Sequence, residues 1–184
     1  MKYYIFFLLS FQFFEISAQS KNVFLLDNWT TTGLPVSSDG ESIFSEVWGF
    51  VQDGEEYGVI GSTAGTHILK ITDEGKLDSV DFVPGKYPFS DAIHRDYHDF
   101  QGYLYVVCDE GSTSTLQIID ISNLPNSVNT VYDSNQLFTQ AHNIFIDTAT
   151  AKLYACASNT AMDIYSLQDP INPIFLHSYT SVGH

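Results

Sequence analysis

Three short landmarks recur along the chain with a shared period, and that recurrence constrains the fold more than any other feature of the sequence. Gly58-Val59-Ile60 matches Leu104-Tyr105-Val106 at a shift of 46, and this in turn matches Leu153-Tyr154-Ala155 at a shift of 49. Ile68-Leu69-Lys70-Ile71-Thr72 returns as Ile118-Ile119-Asp120-Ile121-Ser122 at 50, and more weakly as Asp163-Ile164-Tyr165-Ser166-Leu167 at 45. Beyond that strand, Asp78-Ser79-Val80, Asn126-Ser127-Val128 and Asn172-Pro173-Ile174 recur at 48 and 46. A unit of this length is one supersecondary element that cannot cover its own faces, so neighbouring units must pack on one another.

The local pattern says what each unit is made of. No stretch shows sustained helical spacing of apolar residues; short Val, Ile, Tyr and Phe runs alternate with Gly, Asp, Asn, Ser and Pro. The expected strands are Phe24 to Leu26, Val47 to Val51, Tyr57 to Gly61, His67 to Ile71, Tyr103 to Cys108, Leu116 to Ile121, Asn143 to Asp147, Leu153 to Ala157 and Met162 to Tyr165. The chain is therefore expected to be all-β. A unit of about 46 residues with three or four short strands has the length of one β-propeller blade. About three units fit between Ser45 and Tyr179, whereas closed propellers have about four to eight blades. The expectation is an incomplete ring, a fragment lacking its C-terminal blades, divided as a signal peptide over 1–18, a ring-closing lead strand and linker over 19–44, and repeat units with the start of a fourth over 45–184.

Met1-Lys2, the apolar run Tyr3 to Phe14 and the small residue Ala18 before Gln19 form a secretory signal peptide pattern. The run is short for a bilayer span and no second one follows, so the mature chain is expected outside the cell without a membrane span. Its net charge of −15, with only seven Lys and Arg in the whole chain, argues against nucleic acid as a partner. Cationic partners and divalent metals remain compatible with that charge. Two cysteines, Cys108 and Cys156, are too few for a disulfide framework and read as separately buried thiols in strand-like runs.

The most suggestive chemistry is a polar pair that opens the equivalent strand of each unit: Arg95-Asp96 in the second and His142-Asn143 in the third, with His184 expected to begin it in a fourth. In the first unit Gly49-Phe50 is expected at that place. First strands of successive blades line the axis, so Arg95, Asp96, His142 and Asn143 are expected to ring one mouth of the channel. Imidazole, carboxylate and carboxamide groups converging there suit an anionic ligand group or a divalent cation, with His142 and Asp96 as the metal candidates. The opposing expectation is structural, because partly buried polar pairs must be hydrogen-bonded. His98 and Asp99 are expected in the following loop or on the opposite face, and the acidic stretches Asp53-Gly54-Glu55-Glu56 and Asp109-Glu110-Gly111 read as solvated turns, since neither has calcium-loop spacing. No nucleophile elbow, reactive Cys with a neighbouring base or phosphate-cradling loop is present.

Several stretches together resemble the bacterial choice-of-anchor B family, built from LVIVD-type repeats. They are Phe24 to Trp29, Val47 to Val51, Tyr57 to Thr66, Ala92 to Asp96, Leu116 to Pro125 and Ala141 to Asp147, in that order and spacing. The resemblance implies a secreted or surface-exposed propeller held at the cell exterior by a C-terminal anchor, such as a type IX sorting domain, and brings no known catalytic activity or cofactor. His94 departs from the family pattern, which usually has an aromatic residue there, typically Trp. A noncatalytic module contacting an extracellular protein or glycan is the leading expectation, and a metal-dependent propeller hydrolase or lyase using the same side chains is the competing one.

Overall fold

The computed structural model describes residues 23–38, 42–86, 92–110, 116–158 and 161–180. Residues 1–18, expected to be a signal peptide, and His184 lie outside these residues. The expectation of an all-β chain holds: the described residues contain twelve strands and no helix. The strands form three four-stranded antiparallel sheets, each running up and down in chain order. The first sheet is β1 (Phe44–Gln52), β2 (Glu55–Ser62), β3 (Gly65–Ile71) and β4 (Leu77–Pro84). The second is β5 (Arg95–Phe100), β6 (Tyr103–Cys108), β7 (Leu116–Asp120) and β8 (Asn129–Ser134), and the third is β9 (Asn143–Asp147), β10 (Lys152–Ser158), β11 (Ala161–Ser166) and β12 (Ile174–Tyr179).

Turn chemistry fixes the first hairpin of two sheets. Asp53-Gly54 and Gln101-Gly102 are two-residue connections with positive φ at both positions, the mirror-image turn whose twist suits a hairpin. The first and second sheets pack face to face through Tyr57, Val59 and Ile68 on one side and Tyr97, Leu104 and Val106 on the other. The second and third pack through Tyr105, Val107 and Ile118 against Ile144, Leu153 and Tyr165. The middle sheet is thus covered on both faces, which explains why β6 reads as an unbroken apolar run: Leu104 and Val106 serve one core, Tyr105 and Val107 the other. In β2 and β10 the burial alternates, because one face of each outer sheet lacks such a partner.

Strand register shows which residues are equivalent. The second-strand match holds, since Val59 and Tyr105 both face the following sheet while Leu104 and Leu153 both face the preceding one. The third-strand match needs a correction. A register shift interrupts the pairing of third and fourth strands at Ile68/Leu69, Ile118/Ile119 and Ile164/Tyr165. The counterpart of Ile118 is therefore Ile164, at a shift of 46, and not Asp163. Side chains alternate with period two, so the one-residue slip would have turned every β11 side chain to the wrong face.

Residues 23–31 carry no strand, contrary to the expectation for Phe24 to Leu26, whose side chains are exposed. The segment instead lies along the first sheet. The Leu77 N–H donates to Asp27 Oδ2 at 2.9 Å, Lys76 Nζ donates to the Leu26 carbonyl at 3.1 Å, and Trp29 Nε1 donates to Ser79 Oγ at 2.8 Å. Trp29 also sits against His67, with ring centroids 5.0 Å apart.

Candidate functional site

The first strands of the three sheets lie side by side, β1 against β5 and β5 against β9. Pairing with the second strands aligns them: Val47 faces Ile60, Tyr97 faces Val106, and Ile144 faces Ala155. The residues before these are Ser45-Glu46, Arg95-Asp96 and His142-Asn143. Ser45-Glu46, rather than Gly49-Phe50, is therefore the first sheet's equivalent of the two predicted pairs. Sequence comparison missed it because β1 has a register shift between Phe44 and Val47. All three pairs line one cavity of about 450 Å³, together with Trp48, Ile93, His94 and Ile144.

One position further along, the aligned residues are Trp48, His98 and Phe145, which form an aromatic column. The Trp48 and His98 rings are 4.7 Å apart, and His98 meets Phe145 edge-on at 5.8 Å. His98 and Asp99 thus belong to β5 and not to a loop, and Trp48 Nε1 donates to Asp99 Oδ1 at 2.9 Å. Only the loop placement fails, because β5 carries Arg, Asp, His and Asp, a polar composition that suits a strand where neighbouring first strands take up those groups; neither His98 nor Asp99 lines the cavity.

The four predicted residues line the same cavity, and three of them also tie adjacent sheets together. Arg95 is buried in the interface with the first sheet, where its Nε donates to the Ser62 carbonyl at 2.8 Å. Asp96 points the other way, and its Oδ2 accepts from the Ile144 backbone N–H of β9 at 2.6 Å. Burial raises the Asp96 carboxyl above the usual carboxylate value, and the backbone N–H groups of Ile144 and Tyr97 work against that shift. His142 Nδ1 meets Asp109 Oδ2 at 2.8 Å, bridging the third sheet to the second. Asn143 is exposed at the opening of β9, across from Cys156.

The Asp109-Glu110 stretch is not the simple solvated turn expected. Glu110 holds His94 through both the ring Nδ1 and the backbone N–H, while Asp109 holds His142. Two histidines with carboxylate-oriented rings consequently stand 6.1 Å apart at the rim. Glu46, Trp48, His94, Asp109 and Glu110 are the residues that sequence reasoning did not place at the site; the available signal was the adjacency of each to a quoted polar pair or landmark. Among the described residues, no group of three or more His, Cys, Asp or Glu side chains is arranged to hold a metal ion. Cys108 and Cys156 are unbridged, the first buried and the second half-buried, and burial pushes both thiols up. The other acidic stretch contains the exposed β1–β2 turn, as expected of Asp53-Gly54.

Behind the cavity, the β2–β3 hairpin closes on a buried polar pair, Ser62 Oγ with His67 Nε2 at 2.9 Å. The β10–β11 hairpin repeats it with Ser158 Oγ donating to Asp163 Oδ2, also at 2.9 Å. Recurrence at equivalent hairpins makes this a structural clasp. Burial lowers the His67 pKa below its ordinary 6.5, and the nearby Arg95 cation adds to the effect. Stability from the neutral ring is thus full above about pH 6.5 and lost as the pH falls, because the unfolded chain takes up the proton first. The expected result is a melting temperature that falls between pH 7.5 and 5.5, with a shallower fall for His67→Gln. Parallel curves for the two proteins would contradict this assignment.

No protein-family model matches the chain, and no curated protein matches it. Solved structures do. A protein assigned as a 6-phosphogluconolactonase from Bacteroides fragilis superposes with a TM-score of 0.55 at 17% identity, over 71% of this chain and 36% of its own. The fission yeast SREBP–SCAP binding domains give a TM-score of 0.48 at 16% identity, over 78% of this chain and 39% of theirs. The chain thus spans little more than a third of the length of the first of these structures. At such identity the likeness to the Bacteroides fragilis protein is one of fold, and it agrees with an all-β chain of four-stranded antiparallel sheets.

Proposed function

We propose that this chain is a secreted or cell-surface β-propeller module that binds an extracellular protein or glycan at its axial mouth without transforming it. One observation carries the reading: equivalent residue pairs from three successive sheets meet around a single cavity where the first strands run side by side. That is how propeller blades present a ligand site, with each blade contributing from its innermost strand. The packing of successive sheets supports the ring, since each outer sheet still offers an apolar face, marked by Val47 on one and Phe145 on the other. The propeller-like fold of the Bacteroides fragilis neighbour supports it as well. The signal-peptide pattern over 1–18 supports export. The quoted repeat stretches, which fall on β1, the β2–β3 hairpin, β7 and β9, support a place among choice-of-anchor B proteins.

Binding without catalysis is favoured because Arg95, Asp96 and His142 are engaged in bonds between sheets. A glycan array and a panel of surface proteins, probed with the wild type and with the Glu46→Ala/Asn143→Ala double variant, test this. The wild type should retain a ligand that the variant loses, and mass spectrometry should recover the ligand intact. A ligand cleaved by the wild type in a chelator-sensitive way would replace this reading with that of a metal-dependent hydrolase or lyase.

A further inference from the structure

Both sheet contacts within the chain join a front face to a rear face. The front of one sheet, through Val59 and Ile68 or their counterparts Tyr105 and Ile118, packs on the rear of the next, through Leu104 and Ile119 or their counterparts Leu153 and Tyr165. Among the described residues one rear and one front are left over, the rear of the first sheet and the front of the third. Both are apolar. A groove on the first holds Val47, Ile60 and Leu69, and one on the third holds Phe145, Tyr154 and Met162; a single carboxylate lines each, Asp27 and Asp147. Uncovered apolar faces on a chain of net charge −15 are docking surfaces.

Their shapes are complementary. On the rear of the first sheet Gly49 pairs with Gly58, at the positions where the third sheet has the bulky pair Ile146 and Leu153. A Cβ on Gly58 would meet nothing within 4 Å, and one on Gly49 only the Tyr57 carbonyl oxygen at 3.9 Å, so the glycine pair forms a depression. On the front of the third sheet Phe145 pairs with Tyr154, their rings 6.2 Å apart and Phe145 57% exposed. The counterparts of these two sites already touch within the chain, where Trp48 on the front of the first sheet donates to Asp99 on the rear of the second.

A front-to-rear contact between copies is heterologous, and it gives a closed ring only if the sheets come out at the right number. Each copy brings three sheets. Propellers have about four to eight, so two copies fit the ring and three exceed it. We propose that two copies of this chain pack head to tail, the third sheet of each on the first sheet of the other, and close one ring of six sheets. The proposal rests on the sheets being propeller blades, and it completes the mouth. His142-Asn143 of each copy stands beside Ser45-Glu46 of the other, as Arg95-Asp96 stands beside Ser45-Glu46 within the chain. Asp27 and Trp29 already hold to Leu77 and Ser79 on the outer strand of the first sheet. The contact is therefore made by the inner strands, β9 and β10 on β1 and β2, and leaves β12 exposed.

Sedimentation equilibrium of the full chain tests this, and the wild type should sediment at twice the chain mass. Gly58→Asp and Phe145→Asp, each placing a carboxylate on one of the two faces, should each weaken self-association about thirtyfold or more. Mixed together, the two variants should recover dimers, because the unaltered third sheet of the first fits the unaltered first sheet of the second. Should either variant fail to fold, Val47→Asp or Tyr154→Asp replaces it on the same face. A monomeric wild type, sensitivity to only one of the two substitutions, a mixture that stays monomeric, or a ladder of species beyond the dimer would overturn the proposal. A wild-type monomer would leave the two faces to another occupant, such as further repeat units. The propeller reading itself falls only if contacts between the Trp48, His98 and Phe145 rings are also missing from the NMR spectrum.

Discussion

Gly65→Ala should cost about 3 kcal/mol of unfolding free energy in urea, a large effect for the addition of one methyl group. Gly65 opens β3 with φ of +155°, a conformation that residues with a Cβ rarely adopt. The added carbon would lie 2.2 Å from the Val83 carbonyl oxygen and 2.7 Å from the Gly85 nitrogen, both of them backbone. Neither atom can swing aside as a side-chain end would. The neighbouring Gly85 N–H donates to the Ala64 carbonyl at 2.9 Å, so movement there would loosen the junction of β3 and β4 beside Arg95. A loss below about 1 kcal/mol would mean that this corner relaxes freely.

Leu153→Ala should likewise cost about 3 kcal/mol, through lost apolar burial and the cavity left behind. Leu153 is fully buried in the cluster shared by the second and third sheets, alongside Tyr105 and Ile118. Ile174→Ala is the contrasting case. Ile174 lies on β12 with 64% of its surface exposed, so its truncation should change stability by no more than about 0.5 kcal/mol. Similar losses for both would show that the third sheet does not present one packed and one open side in solution.

The parts of this fold that were legible in the sequence are those where burial writes a pattern. The buried second and third strands stood out as apolar runs, and Tyr103 to Cys108 and Asn143 to Asp147 were read with their observed bounds. The outer strands β4, β8 and β12 were not recognised, because an edge strand with mostly exposed positions carries little apolar periodicity. The apolar Phe24 to Leu26 misled in the opposite sense, since hydrophobic side chains alone do not supply a pairing partner.

The site was half legible. Arg95-Asp96 and His142-Asn143 could be aligned because each opens the strand that comes before a recognisable apolar second strand, and the structure brings both to one cavity. Ser45-Glu46 was hidden by the irregular pairing at the start of β1. The engagement of Asp109 and Glu110 with two histidines was not readable, because it joins His142 to a residue 33 positions earlier and depends on how the sheets pack. Sequence spacing can thus place residues on equivalent strands, but the direction in which each side chain leaves the strand follows from sheet contacts that a single unit does not contain.

The first strands of successive sheets stand side by side in register, and the aromatic column tests that most directly. Nuclear Overhauser effects should link the Trp48 indole to the His98 ring and the His98 ring to Phe145, residues 50 and 47 positions apart whose rings are separated by 4.7 and 5.8 Å. Observation of both would place β1, β5 and β9 side by side and the three polar pairs at one cavity. Cross-peaks confined to neighbours within each sheet, with none between these three rings, would contradict the arrangement and the site built on it.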